Sequence, residues 1–144
     1  MENNYLKIYK LIQDGDAVVI GASNGLSIAD GYHIFADNQW FRENFGDFRA
    51  RYKISNLLQG MFLNFTCPEE QWGFFSRLAY RVHYQYQPSQ MMQNLYHLVK
   101  EKDYFVITSN GEDHFTPCGF SPEKVFEMEG KLTEYRCAQN CHDA

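Results

Sequence analysis

The sequence has no apolar run long enough to cross a bilayer as a helix, which takes about 20 such residues. Met1-Glu2-Asn3-Asn4 also lacks the basic and apolar regions of a secretion signal. A cytoplasmic location without a membrane partner is therefore expected. Basic charge is scarce: 13 Lys and Arg stand against 18 Asp and Glu, for a net charge of −5. Without a basic field nothing holds a phosphate backbone non-specifically, so nucleic acid is not an expected partner. Prolines number four, and no linker, low-complexity tract or internal repeat interrupts the chain. One domain over residues 1–144 follows, long enough to bury a sizeable core. Cysteines are few as well: Cys67, Cys118, Cys137 and Cys141. In a cytoplasmic setting they read as thiols or metal ligands rather than disulfides.

Aromatics are plentiful, with 10 Tyr and 12 Phe, and predict an aromatic-rich core. The most informative segment is Asp16-Ala17-Val18-Val19-Ile20-Gly21-Ala22-Ser23-Asn24-Gly25-Leu26-Ser27. It reads as an apolar strand, residues 17–21, breaking into a small glycine-bearing turn with a helix start behind it. Such a turn lets backbone N–H groups approach a pyrophosphate. The spacing is not GxGxxG, and a turn of this kind also serves structure alone.

An amphipathic helix is predicted over residues 3–13, with Tyr5, Ile8, Tyr9 and Ile12 on one stripe. A second apolar strand is predicted at Asp103-Tyr104-Phe105-Val106-Ile107-Thr108. Both strands are apolar throughout, as expected for a sheet covered on both faces. The roughly eighty residues between them far exceed the dozen or so of a minimal crossover. They are read as a helical module inserted at about 40–101. Leu57, Leu58, Met61 and Phe62 mark one helix, and Phe74, Phe75, Leu78 and Val82 mark another. A third starts near Pro88-Ser89 and carries Met92, Leu95, Tyr96 and Val99. Helical spacing makes these residues core by default. If the two strands are parallel neighbours, the glycine turn and Ser109-Asn110-Gly111-Glu112-Asp113-His114 share one sheet edge. Asn110, Glu112, Asp113 and His114 then face one crevice.

The order of these pieces resembles the sirtuin family. Gly21-Ala22-Ser23-Asn24-Gly25-Leu26-Ser27, followed by Ala29 and Gly31, is similar to the sirtuin NAD-binding loop, in a form nearest to the macrodomain-linked class M. Thr108-Ser109-Asn110-Gly111-Glu112 aligns with the family's Thr-Thr-Asn-Val-Asp or Thr-Gln-Asn-Xaa-Asp. Glu127-Met128-Glu129-Gly130 aligns with its Glu-Leu-His-Gly. Cys137-Ala138-Gln139-Asn140-Cys141-His142 resembles the first half of its zinc module, where the chain stops.

The resemblance implies an α/β fold with a Rossmann-like parallel sheet, incomplete at its later strands, and NAD as cofactor. Gly21, Ala22, Ser23, Gly25 and Ser27 would hold the phosphates, and Asn110 and Glu112 the nicotinamide ribose. Glu112 stands where the family has aspartate. Glu129 stands where deacetylating sirtuins carry the catalytic histidine, which makes plain deacetylation the least expected activity. Class M sirtuins also lack that histidine, which implies ADP-ribosyl transfer to a protein acceptor. A carboxylate at Glu129 can stabilise positive charge on the ribose carbon or deprotonate the acceptor; as a residue it also reads as part of a solvated charge cluster. Cys137 and Cys141 supply two of four zinc ligands, an incomplete set. The alternatives are an NAD hydrolase and a non-catalytic module that binds NAD, ADP-ribose or a partner. A homo-oligomer or a completing partner chain is also expected.

Overall fold

The computed structural model describes residues 3–137 and 139. Helix α1 (Asn4–Asp14) is capped by the Asn3 side chain, which accepts from the Tyr5 N–H. Strand β1 (Ala17–Ala22) runs straight into the short helix α2 (Asn24–Ala29). Helix α3 (Gln39–Tyr52) follows, capped by Asn38 and kinked at Phe45. Then come α4 (Leu57–Met61), capped by Asn56, and α5 (Pro68–Ala79), which opens on a proline at its first turn. A π-helical turn, Tyr80–Tyr84, extends α5. Helix α6 (Gln90–Val99), capped by Ser89, leads into β2 (Asp103–Thr108). Two 3₁₀ turns, Thr116–Cys118 and Pro122–Lys124, then precede β3 (Val125–Glu127).

The three strands form one parallel sheet in the order β1-β2-β3, so the chain is a mixed α/β protein. The β1–β2 register pairs Ala17 with Asp103 and Ala22 with Thr108, which sets the carboxyl ends of both strands level. β3 is a third strand that the sequence pattern does not reveal, since only three residues pair.

Side chains divide into two clusters. Phe41, Phe45, Phe48, Ile54, Leu57, Phe74, Leu78 and Val82 form the core of the helical region. The Phe74 ring packs at 5.2 to 5.7 Å from those of Phe45, Phe48, Phe65 and Phe75. A second cluster lies under the sheet: Met92, Val99, Tyr104, Val106, Phe115, Cys118 and Phe120. Helix α6 thus packs with the sheet, while α3, α4 and α5 pack with one another.

The expectation of a sheet covered on both faces fails. Burial alternates along β1 and β2, and Val19, Phe105, Ile107 and Phe126 point to an uncovered face. The apolar run hid this because Val19, Phe105 and Ile107 have the same character as their buried neighbours. Helix α1 likewise buries none of its residues, although Tyr5, Ile8 and Tyr9 make an apolar stripe.

Candidate functional site

Parallel pairing brings the turn after β1 against the loop after β2. The Ser109 N–H donates to the Ala22 carbonyl at 3.2 Å, and the Ser109 hydroxyl donates to Ser23 Oγ at 3.0 Å. The segment after β3 closes over the same edge. The Met128 N–H donates to the Thr108 carbonyl and the Leu132 N–H to the Gly111 carbonyl, both at 2.8 Å. Contact is so close at Gly111 that a Cβ there would lie 2.8 Å from the Gly130 carbonyl oxygen. Gly130 itself sits at φ +80°, a conformation that favours glycine. These two glycines hold the 128–132 strap against the loop and bring Glu129 to the site.

The result is a cleft of about 340 Å³, within the usual range for small-molecule sites. Ser27, Asn110, Glu112 and Glu129 all line it. Its apolar wall is made by Tyr32, Ile34 and Met61, which pack against the helical core, together with Phe35, Leu58 and Phe62. The Ser27 hydroxyl donates to Glu112 Oε1, and both residues are buried. His83 Nδ1 donates to the Glu112 carbonyl at 3.1 Å, which ties this loop to the π-helical turn.

Two of the lining residues carry a buried polar atom with no partner among the described residues: Asn110 Oδ1 and the Tyr32 hydroxyl. Burial, then the Glu112 carboxylate, pushes the Tyr32 pKa far up, so the hydroxyl remains a donor. Buried polar groups are normally satisfied, and an unpaired acceptor and donor in a cleft wall suit a polar ligand. Behind the strap, the Glu127 side chain is almost completely buried, with Oε1 unpartnered. Burial, then the Asp113 charge, holds its carboxyl above the ordinary range, against Lys131 Nζ at 3.5 Å.

Not every residue singled out from the sequence lines the cleft. Gly21, Ala22, Ser23 and Gly25 do not. Gly21 lies on the exposed phase of β1, and Gly25 is exposed in the first turn of α2. An added Cβ at either would meet nothing within 4 Å, so the protein's own packing requires neither glycine and open space remains beside the turn. Asp113 is half-buried and accepts from the Thr116 hydroxyl. His114 lies behind the cleft wall: Nδ1 is 2.8 Å from Asp30 Oδ2, and Nε2 donates to the Val82 carbonyl. Cys137 is half-buried, whereas Cys141 and His142 lie outside the described residues. Among the described residues, no group of three or more His, Cys, Asp or Glu is placed to hold a metal ion.

Sequence reasoning missed the apolar wall. Leu58, Met61 and Phe62 carry helical spacing and were expected in a core, yet Phe62 is 80% exposed. Periodicity marks a shared face and cannot tell a core from a cleft. Tyr32, Ile34 and Phe35 follow Gly31 without a motif. Among the described residues, no helix is long and apolar enough to cross a membrane.

No protein-family model matches the chain. Over 132 residues it is 33% identical to a curated relative, a protein ADP-ribosyltransferase of Staphylococcus aureus (strain Mu50 / ATCC 700699). The match takes in 91% of this chain and 41% of that protein, so the chain spans about two-fifths of its relative's length.

Proposed function

We propose that this chain is a sirtuin-like domain, nearest to class M, whose cleft binds NAD and supports ADP-ribosyl transfer to a protein side chain. One observation carries the reading. Ser27, Asn110, Glu112 and Glu129, drawn from three separate segments, line a single cleft of small-molecule size. The relative's name supports ADP-ribosyl transfer, and the parallel sheet with its loops at the carboxyl edge is compatible with a Rossmann-like dinucleotide site.

The fit to a dinucleotide rests on the unpartnered Asn110 Oδ1 and Tyr32 hydroxyl and on the open space beside Gly21 and Gly25. In this reading Asn110 and Glu112 hold the ribose, with Ser27 orienting the Glu112 carboxylate. Gly21, Ala22, Ser23 and Gly25 leave room for the phosphates. NAD, when bound, supplies a ribose carbon whose bond to nicotinamide is ready to break. Glu129 sits exposed at the cleft rim, placed to stabilise positive charge or to take a proton from an acceptor. The apolar wall keeps water from one side of the site. Cys137 and Cys141 remain candidates for half of a zinc module.

Calorimetric titration of the purified chain with NAD tests the reading, followed by assays of nicotinamide release and of modified protein. Saturable binding with nicotinamide release and a labelled acceptor is expected. Binding without release points to the non-catalytic module, and release without any labelled protein points to the hydrolase. A folded chain that does not bind NAD overturns the proposal.

A further inference from the structure

The least common element of the fold touches the loop that carries Asn110 and Glu112. Residues Tyr80–Tyr84 form a π-helical turn at the end of α5, in which the Gln85 N–H donates to the Tyr80 carbonyl at 2.9 Å. Such turns are rare and recur at functional sites. This one also alters the pairing at the helix end. In a continuing α-helix the Tyr86 N–H would meet the Val82 carbonyl. Here it donates to the His83 carbonyl at 3.1 Å. Val82 is buried, so its carbonyl needs a donor from elsewhere.

His114 supplies it, since Nε2 donates to the Val82 carbonyl at 2.9 Å. The next residue of the turn reaches the opposite way, and His83 Nδ1 donates to the Glu112 carbonyl at 3.1 Å. Val82 and His83 thus exchange hydrogen bonds with His114 and Glu112. Between those two loop residues Asp113 takes φ +52°, a left-handed conformation that Asp tolerates better than most side chains. That bend lets the Glu112 carbonyl and the His114 ring face the same helix end. Val82 belongs to the helical core, and Phe115, next to His114, belongs to the cluster under the sheet. The two bonds therefore join the clusters at the loop that lines the cleft.

We propose that the π-helical turn is a clasp on the loop at residues 109–114, and that His83 is a positioning residue whose hydrogen bond sets where the Glu112 carboxylate stands in the cleft. The inference rests on the NAD reading put forward above, in which Glu112 holds the ribose. The Ser27 hydroxyl orients that carboxylate directly. His83 acts one step further back, on the backbone that carries it. His83 is not among the residues lining the cleft, so its effect passes through Glu112. A carbonyl oxygen only accepts, so Nδ1 carries the hydrogen of this bond. Removing that donor unties the carbonyl of a buried residue and leaves the loop to shift.

Two variants of similar side-chain size test this. His83→Leu removes the donor, and His83→Asn puts an amide N–H where Nδ1 stands. A displacement of about 1 Å can cost roughly a hundredfold in rate, so His83→Leu is expected to lower kcat for nicotinamide release by about that order. Its melting temperature should stay near that of the parent. NAD affinity by calorimetry should fall far less than kcat, because the proposed phosphate contacts lie at the turn after β1. His83→Asn is expected to recover most of the lost rate. An unchanged kcat in folded His83→Leu overturns the clasp, and so does an Asn variant no faster than the Leu one. Equal losses of kcat and NAD affinity with a lowered melting temperature mark a merely structural role and overturn it too. Where His83→Leu does not fold, His83→Gln, whose amide stands nearer the place of Nε2, takes its part in the comparison. A parent chain that releases no nicotinamide overturns the transfer reading itself. Amide hydrogen exchange over residues 109–114 then judges the clasp alone. Faster exchange in His83→Leu than in the parent and His83→Asn supports it, and equal exchange overturns it.

Discussion

At the scale of single residues, two carboxylates near one strap have opposite surroundings. Glu129 is exposed at the rim of the cleft, open to substrate and solvent. Glu129→Gln is therefore expected to lower kcat by about a hundredfold and to leave NAD affinity unchanged, as read by steady-state kinetics beside calorimetry. Glu127 is buried, and its carboxyl is held above the ordinary value of 4.5 by burial and then by Asp113. A raised carboxyl pKa favours the neutral form in the folded state, so its benefit is full below the unfolded value and is lost as pH rises through the folded one. Glu127→Gln should raise the melting temperature at neutral pH and change little in acid below pH 4.5. A thermal melt at each pH checks the sign. In the sequence the two residues are equivalent, since Glu127-Met128-Glu129 says nothing about which carboxylate the backbone hydrogen bonds turn inward.

At the scale of elements, the strap and the helical core each give a test. Adding a Cβ at Gly111 brings it to 2.8 Å from a backbone oxygen, which cannot rotate away as a flexible side chain can. The 128–132 strap must move, and Glu129 with it. A displacement of about 1 Å can cost roughly a hundredfold in rate. Gly111→Ala is thus expected to lose kcat by that order, with its helical far-ultraviolet spectrum unchanged. In the helical region, Phe74 is fully buried among four aromatic rings. Phe74→Ala should cost about 3–5 kcal/mol of stability, measured by denaturant unfolding. The helices α1, α5 and α6 were legible from periodicity and proline placement. Helix α3 was not, because a polar sequence kinked at Phe45 blurs the pattern.

At the scale of the whole molecule, one sheet face carries the core and the other carries Val19, Phe105, Ile107 and Phe126 in the open. Val19 is 68% exposed, so Val19→Lys should change stability by no more than about 0.5 kcal/mol, as an ordinary surface substitution does. A loss of several kcal/mol in chemical unfolding would mean that this face is covered in solution. The cleft belongs to this scale too, since its polar floor comes from the sheet edge and its apolar wall from the α2–α3 connection and the segment of Leu58, Met61 and Phe62.

The sequence by itself determined the two main strands, the turn at their carboxyl ends and the polar residues Ser27, Asn110 and Glu112. Strand hydrophobicity, glycine punctuation and turn chemistry are local properties, carried by neighbouring residues. Tertiary structure alone decided that Tyr32 and Phe62 wall the cleft and that Gly21 faces away from it. It also decided that Asp30 meets His114 behind the wall. Those outcomes depend on which side chains meet across 80 or more residues of chain, as at the Asp30–His114 contact with its separation of 84. They also depend on which sheet face finds a cover, and a run of apolar residues reads the same with or without one.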